Sequence, residues 1–294
     1  MSSSLPGAKL SVVIVNWNTH RLLLQALASI YQAPPPFSFE VIVVDNASSD
    51  ESARAVRERY PQALLIANSE NEGYAKGNNQ GLLVSRGEYV LLLNPDVRVP
   101  EGGLERAVAI MEQLKDVGAL GVRQAFPNGQ VQKSVRGFPT PSAVFWELIG
   151  LSRLYPSSSR FGAYRMTWFD YEHEADVDQP MATFLMIRRQ VLDQVGLMDE
   201  SFPIFFNDVD WCFRCKQAGW RILFTPEIEI IHHGGAGTIQ AGGAMAWESR
   251  RGLLRFYALH YRALPHRLMR LLVAGISWPY AWLQARRIRN RRDG

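Results

Sequence analysis

Carboxylates, amides and imidazoles fall at the ends of apolar runs in this chain. The run Leu91-Leu92-Leu93 stops at Asn94-Pro95-Asp96. An earlier run closes on Asp45-Asn46, and the first closes on Asn16, with Asn18 two residues on. A carboxylate such as Asp45 can accept a hydrogen bond from the imide N–H of uracil or thymine, or from ribose hydroxyls. One such as Asp96 can hold a hard divalent cation against a diphosphate. Singly, each Asp is as well explained as a turn former or helix cap. Their recurrence at successive strand ends is what points to a ligand site. The pair Cys212 and Cys215 raises zinc or redox chemistry. Zinc needs two further ligands, and His232-His233 are adjacent rather than three to five apart. Two small residues packed on a helix is the reading that remains.

The elements that must position these groups alternate. Residues 10 to 18 and 39 to 48 are β-branched runs bounded by polar residues, hence buried strands. Between them, Leu23, Leu24, Leu27 and Ile30 mark a helix that ends at Pro34-Pro35-Pro36. Ser48 and Glu51 have the spacing of a capping box, opening a helix to about residue 60. A strand near 63 to 68, a helix over 74 to 85, a strand over 88 to 93, a helix over 103 to 114 and a strand over 119 to 122 follow. This rhythm predicts an α/β fold, a mostly parallel sheet flanked by helices, with ligands at the carboxyl ends of the strands. Asn128-Gly129 marks a hairpin. Residues 137 to 180 read as irregular and aromatic-rich. "MATFLMIRR" reads as a buried strand, "DVDWCFRCKQAGW" as a helix stopped by Gly219, and "RILFTP" as a last strand.

Composition bounds the function. The 294 residues are 47% hydrophobic and 20% charged, as in a globular protein. From Ser249 onward there are 11 arginines, no lysine and one acid, a net charge of +10. Since the whole chain carries +4, the remainder carries −6. A mildly acidic body argues against nucleic acid as a partner, and a basic tail suits anionic lipid. The start "MSSSLPGAKL" shows no apolar core of a signal peptide, and no uncharged apolar run reaches spanning length. Neither a dinucleotide fingerprint nor a P-loop appears. A sugar nucleotidyltransferase would carry a Gly-rich loop after the first strand, where "NWNTHR" stands.

The segments "VVIVNWN", "VIVVDNASSD", "NEGYAKGNNQGL", "LLLNPDV", "VGLMDESFPIFFNDVDWCFR" and "TPEIEIIHHGG", in this order, resemble the family 2 glycosyltransferases of GT-A fold. The resemblance covers roughly residues 10 to 240. It is nearest to the rhamnosyltransferase-like branch that builds bacterial cell-surface polysaccharides. It implies a catalytic domain over 1–243, with a nucleotide-binding half (10–123) and an acceptor-binding half (124–243). It implies nucleotide contacts at Asn16, Asn18, Asp45, Asn46, Asn79 and Asn94. It further implies Mg²⁺ or Mn²⁺ on Asp96 and His232, with Asp208 as catalytic base. One base with no covalent nucleophile implies direct displacement and inversion. The implied donor is dTDP-rhamnose first, then UDP-galactofuranose or another UDP-hexose. The implied acceptor is polyprenyl-linked or an oligosaccharide. Two positions depart from the family. Asn207 stands where an acid is usual, and Met181-Ala182-Thr183 stands where a small-Gly-Ala step is common; a Cβ at Ala182 would narrow the pocket.

Other groups have structural readings beside functional ones. Asp210 suits a helix N-terminus and can pair with Arg214 one turn on. Trp168, Phe169 and Tyr171 could stack on a sugar, although aromatic clusters more often form core. The tail, 244–294, reads as an amphipathic helical segment. Arg251, Arg255 and Arg262 fall together on a helical wheel, with Leu253, Phe256, Tyr257 and Leu264 opposite. Trp278, Tyr280 and Trp282 suit a membrane–water boundary. The expected location is cytoplasmic, peripheral on the inner face of the cell membrane. The competing class is a non-catalytic sugar- or membrane-binding protein on the same fold.

Overall fold

Strands with apolar residues on both faces must be covered on both faces, and the chain supplies helices in alternation to do so. The computed structural model describes residues 7–234 and 244–292. The first half runs β1 (Leu10–Asn16), α1 (His20–Tyr31), β2 (Phe39–Asp45), α2 (Ser52–Arg59), β3 (Leu64–Ala67), α3 (Gly73–Val84), β4 (Tyr89–Leu93), β5 (Val97–Arg98), α4 (Gly103–Gln113) and β6 (Val117–Ala125). The second runs β7 (Val135–Arg136), α5 (Pro141–Leu148), α6 (Leu151–Leu154), β8 (Ala175–Asp176), β9 (Gln179–Pro180), β10 (Phe184–Arg188), α7 (Arg189–Val195), α8 (Asn207–Gln217) and β11 (Arg221–His232). Two helices close the chain, α9 (Ala244–His260) and α10 (Leu264–Arg292).

Among the described residues the main sheet has nine strands, in the order β3-β2-β1-β4-β10-β6-β11-β5, with β8 beside β11. β3, β2, β1 and β4 are parallel, so their carboxyl ends lie side by side. β10 enters antiparallel between β4 and β6, which joins the two expected halves in one sheet. Alternation along β1 sorts its side chains between two cores. Leu10, Val12 and Ile14 pack with Leu23, Leu27 and Leu104. Val13 and Val15 face the other way, toward Ala75, Leu82 and Trp211. On that second face α3 comes very close to β1. A Cβ at Gly77 would lie 2.8 Å from Val15 Cγ1, and one at Gly81 2.4 Å from Val13 Cγ1.

Three expectations change. Ser48 does not cap α2; its hydroxyl accepts from the Asn16 side chain and the Asn18 N–H, and Asp50 takes the Ser52 N–H instead. Residues 137 to 180 contain helix α5, opened by Thr140, whose side chain accepts from Ala143 N–H, with Pro141 at the first position. "RILFTP" and "EIEIIH" form one strand of 12 residues, with a register shift between Thr225 and Glu229 that accommodates Pro226. The hairpin at Asn128-Gly129 is present, with Gly129 at φ 81° donating to Phe126 O. The expected domain boundary at residue 243 lies outside the described residues. The tail helices pack on the body through one face: Phe256, Tyr257 and Val273 join Val144, Phe202, Phe206 and Val209 in a third core.

Candidate active site

A cavity of about 380 Å³ opens at the carboxyl edge of the sheet. β1 supplies Val15, and Trp17 and Thr19 follow it; Asn46 follows β2; Asn94, Pro95 and Asp96 follow β4. Met181, Ala182 and Thr183 precede β10, Asp208 opens α8, and His232 ends β11. Of the residues singled out from sequence as site candidates, Asn46, Asn94, Asp96, Asp208 and His232 therefore line one cavity.

Strand pairing brings Asp96 and His232 together. β5 runs antiparallel to the end of β11, with Val97 opposite His232, and His233 N–H donates to Asp96 O. The two side chains are buried, with His232 Nε2 3.3 Å from Asp96 Oδ1. A residue the sequence did not single out fixes this imidazole. Gln132 Nε2 donates to the His232 carbonyl at 2.8 Å, so its Oε1 faces His232 Nδ1 at 2.7 Å. Since Oε1 only accepts, Nδ1 carries the proton. That leaves Nε2 as the ring nitrogen turned toward the Asp96 carboxylate. A ring nitrogen and a carboxylate oxygen at this separation, with the far side of the ring fixed by an amide, are placed as two neighbouring ligands of a cation would be. Among the described residues no third His, Cys, Asp or Glu joins them. Asp96 and His232 thus fit two positions around a hard or borderline cation, the others falling to a ligand and water.

Asp208 lies across the cavity at the first turn of α8. Its Oδ2 is within reach of the Gln179 side chain at 3.2 Å and the Ala182 N–H at 3.4 Å, and its Oδ1 accepts from Val209 N–H. Burial pushes this carboxyl above its ordinary range, and those hydrogen bonds pull back against the rise. Tyr74 is another residue the sequence left unassigned. Its hydroxyl sits 3.2 Å from Asn94 Oδ1 and 3.1 Å from Ala182 O. Burial first, and then the charges of Asp208 and Asp96, hold that phenol strongly protonated. It donates its one proton to these wall acceptors and is not a base. Its place in "GYAKGNNQG" was the available signal.

Other predicted contacts have different partners. Asn16 pairs with Asp45 in the β1–β2 register and donates to Asp45 Oδ2 at 2.9 Å, while Thr19 donates to Asn16 Oδ1. Asp45 Oδ1 accepts from Ser48 N–H, and Asn18 Oδ1 accepts from Ser49. Asn79 clamps a loop: it donates to Met198 O and Glu200 and accepts from Met198 N–H. None of these four lines the cavity. Asn207 donates to Phe202 O and Ile204 O, both at 3.0 Å. A carboxylate could donate to neither, which accounts for an amide at that position. Ala182, the second departure, does line the cavity. Asp210 pairs with Arg214 as expected, and also with His260 of the tail at 2.7 Å. Phe169 and Tyr171 pack edge-on with Phe224 in the core, and neither they nor Trp168 line the cavity. Cys212 and Cys215 are buried in the second core, and burial pushes the Cys215 thiol up to about 12.

A cavity at the carboxyl edge of the sheet, with a paired carboxylate and imidazole on one wall and a lone carboxyl opposite, fits a sugar transferase of GT-A fold. The mannosyltransferase PcManGT from Pyrobaculum calidifontis, in complex with GDP-Man and Mn²⁺, shares the fold at TM-score 0.57 and 20% identity, over 96% of this chain and 74% of its own. GalNAc-T7 with UDP, GalNAc and Mn²⁺ shares it at TM-score 0.61 and 15% identity, over 87% and 48%. Residues 11–175 match the glycosyl transferase family 2 profile, and the chain belongs to that family. It is a nucleotide-sugar glycosyltransferase. Among its relatives is the N-acetylglucosaminyl-diphospho-decaprenol L-rhamnosyltransferase of Mycobacterium tuberculosis, 29% identical over 237 residues, 76% of each chain.

Proposed function

We propose that the enzyme transfers a sugar, rhamnose from dTDP-rhamnose first, to a hydroxyl of a polyprenyl-linked or oligosaccharide acceptor in cell-wall or surface polysaccharide synthesis. The observation that carries this reading is the single cavity holding Asp96, His232 and Asp208. Residues 10–123 bind the nucleotide and 124–243 the acceptor. Asp96 and His232 hold Mg²⁺ or Mn²⁺, which when bound neutralises charge on the diphosphate. Asn46 and Asn94 meet the donor at the strand ends, and the Tyr74 hydroxyl, shared between Asn94 Oδ1 and Ala182 O, holds that wall in place. Asp208 takes the proton of the acceptor hydroxyl, and its raised affinity for that proton suits the task. Attack from the Asp208 side, with no covalent intermediate, inverts the anomeric carbon.

Support for the donor and acceptor comes from the mycobacterial relative, whose name specifies rhamnosyl transfer to a diphospho-decaprenol sugar. Support for the cation comes from the way Gln132 turns His232 Nε2 toward Asp96 and from the Mn²⁺ in both structural neighbours. The tail supports a peripheral membrane site on the cytoplasmic side. Val273, Ser277 and Ala281 are buried, and the opposite face of α10 exposes Leu268, Leu271, Leu272, Trp278 (54%) and Trp282. Among the described residues no helix is long and apolar enough to cross a membrane. The deciding experiment is a donor panel of dTDP-rhamnose, UDP-galactofuranose, UDP-glucose and UDP-N-acetylglucosamine with Mn²⁺ or Mg²⁺, read as released nucleoside diphosphate. Release from dTDP-rhamnose that Asp208→Asn abolishes is expected. No release from any donor, or near-native turnover in Asp208→Asn, would sink the reading.

A further inference from the structure

A second, smaller groove of about 240 Å³ adjoins the catalytic cavity. One wall is the loop from Ser201 to Phe205, and the other is α9, through Glu248, Arg251, Gly252 and Arg255. Ile204 and Phe205 line both spaces, so a ligand in the groove lies one residue layer from the reaction centre. Gly252 sets the width: a Cβ there would lie 2.7 Å from Phe206 Cδ2, so α9 reaches the loop backbone-close. Arg251 and Arg255 are one turn apart on one face, both exposed.

We propose that Arg251 and Arg255 bind the diphosphate of a polyprenyl-linked acceptor, a step that rests on the acceptor class given above. A guanidinium forks onto two phosphate oxygens and is weakly hydrated, which an ammonium cannot match. The tail from Ser249 uses 11 arginines and no lysine, a choice that bare positive charge does not require. The pair is pre-positioned. Arg255 donates to Ser201 Oγ and lies over the Phe202 ring at 5.6 Å, while Arg251 pairs with Glu248. Glu248 and Asp199 are the acids facing the two cations, and neither pairs with both. Glu248 therefore holds Arg251 until a stronger anion arrives. From the groove, the acceptor sugar extends past Ile204 and Phe205 toward Asp208. Its isoprenoid chain follows α9 toward α10, which packs against α9 and exposes the apolar stripe.

The test is calorimetry on the full chain, with EDTA present to silence the cation site. Its probes are farnesyl diphosphate, farnesol, inorganic pyrophosphate and phosphatidylglycerol vesicles. Farnesyl diphosphate is expected to bind, and R251A/R255A to weaken it at least about tenfold, the scale of one lost charge-assisted contact. Glu248→Gln frees Arg251 and is expected to tighten binding several-fold. Farnesol binding as well as farnesyl diphosphate overturns the proposal, as does unchanged affinity in R251A/R255A. Displacement by phosphatidylglycerol at equal phosphate overturns it too, because the pair would then read any lipid headgroup. Binding of dTDP with Mn²⁺ is measured beside it. Retention of that binding in R251A/R255A shows the variant folded, and its absence in the native chain counts against the sugar-nucleotide reading alone.

Discussion

Gln132→Met tests the cation site without touching either proposed ligand. The substitution keeps length and removes both amide contacts, the 2.8 Å bond to His232 O and the 2.7 Å bond at His232 Nδ1. Stranding a buried donor or acceptor costs about 1–3 kcal/mol each, which sets an upper bound near 2–6 kcal/mol for two. The ring has an escape. Moving its proton from Nδ1 to Nε2 lets it donate to Asp96 Oδ1, 3.3 Å away. That recovers one bond and leaves a net loss of about 1–3 kcal/mol in stability. The escape places a proton where the cation would bind. Loss of such an orienting partner typically weakens metal binding about 10–100-fold. The assay is titration of Mn²⁺ in the presence of dTDP, with ¹⁵N shifts of His232 reporting the tautomer and a melting curve reporting the fold. Gln132→Glu keeps an acceptor at Nδ1 and should hold Mn²⁺ affinity within about tenfold of native. Native Mn²⁺ affinity in Gln132→Met, with the Nε2 tautomer visible, would show that His232 is no ligand.

The pH dependence of turnover follows from Asp208. Its folded carboxyl binds a proton more tightly than the ordinary 3.8, because burial disfavours the anion. Turnover should therefore rise with pH through an acid limb above 3.8, and a limb at or below that value would contradict the base assignment. The stability linkage has the same origin. This group's contribution is full below the unfolded pKa and is lost as pH rises through the folded one. Gly81→Ala should destabilise by about 1–3 kcal/mol, since its Cβ would lie 2.4 Å from Cγ1 of the buried, β-branched Val13. Gly275→Ala, with nothing within 4 Å of the new Cβ, should instead stabilise α10 by about 0.5–1 kcal/mol. Equal melting shifts in the two variants would refute the close-packing account of α3.

The parallel half of the sheet was legible because its strands are apolar throughout and end on polar residues, so boundary and face coincide. β1 and β4 begin and end within two residues of expectation, and β2 begins where expected and ends three residues early, at Asp45. What a strand end does not reveal is which polar neighbour each side chain meets. Asn16 and Asp45 are opposite in register and satisfy each other, a pairing written in the alignment of two strands and in neither strand alone. Gln132 is 100 residues from His232 in sequence. Nothing local marks it, because its partner is assigned only when the Asn128-Gly129 turn folds its segment against β6 and the end of β11. Helix α5 had its signal in Thr140-Pro141, obscured by aromatic residues around it.

The cavity wall around Asp208 is held by three parts of the chain. The loop from 198 to 206 leads into α8, so its position sets where Asp208 stands in the cavity. α3 holds it from one side: Asn79 clamps Met198 and Glu200, and the Tyr74 and Ala75 N–H groups donate to Pro203 O. Gly77 and Gly81 bring α3 close enough to the sheet for this. Asn207 holds the loop from within. α9 holds it from the far side through Gly252, and His260 reaches Asp210 on the helix that carries Asp208. Met245, at the start of α9, lines the catalytic cavity itself. The basic tail is therefore part of the site, and a membrane that engages α10 would bear on the wall beside Asp208 through α9.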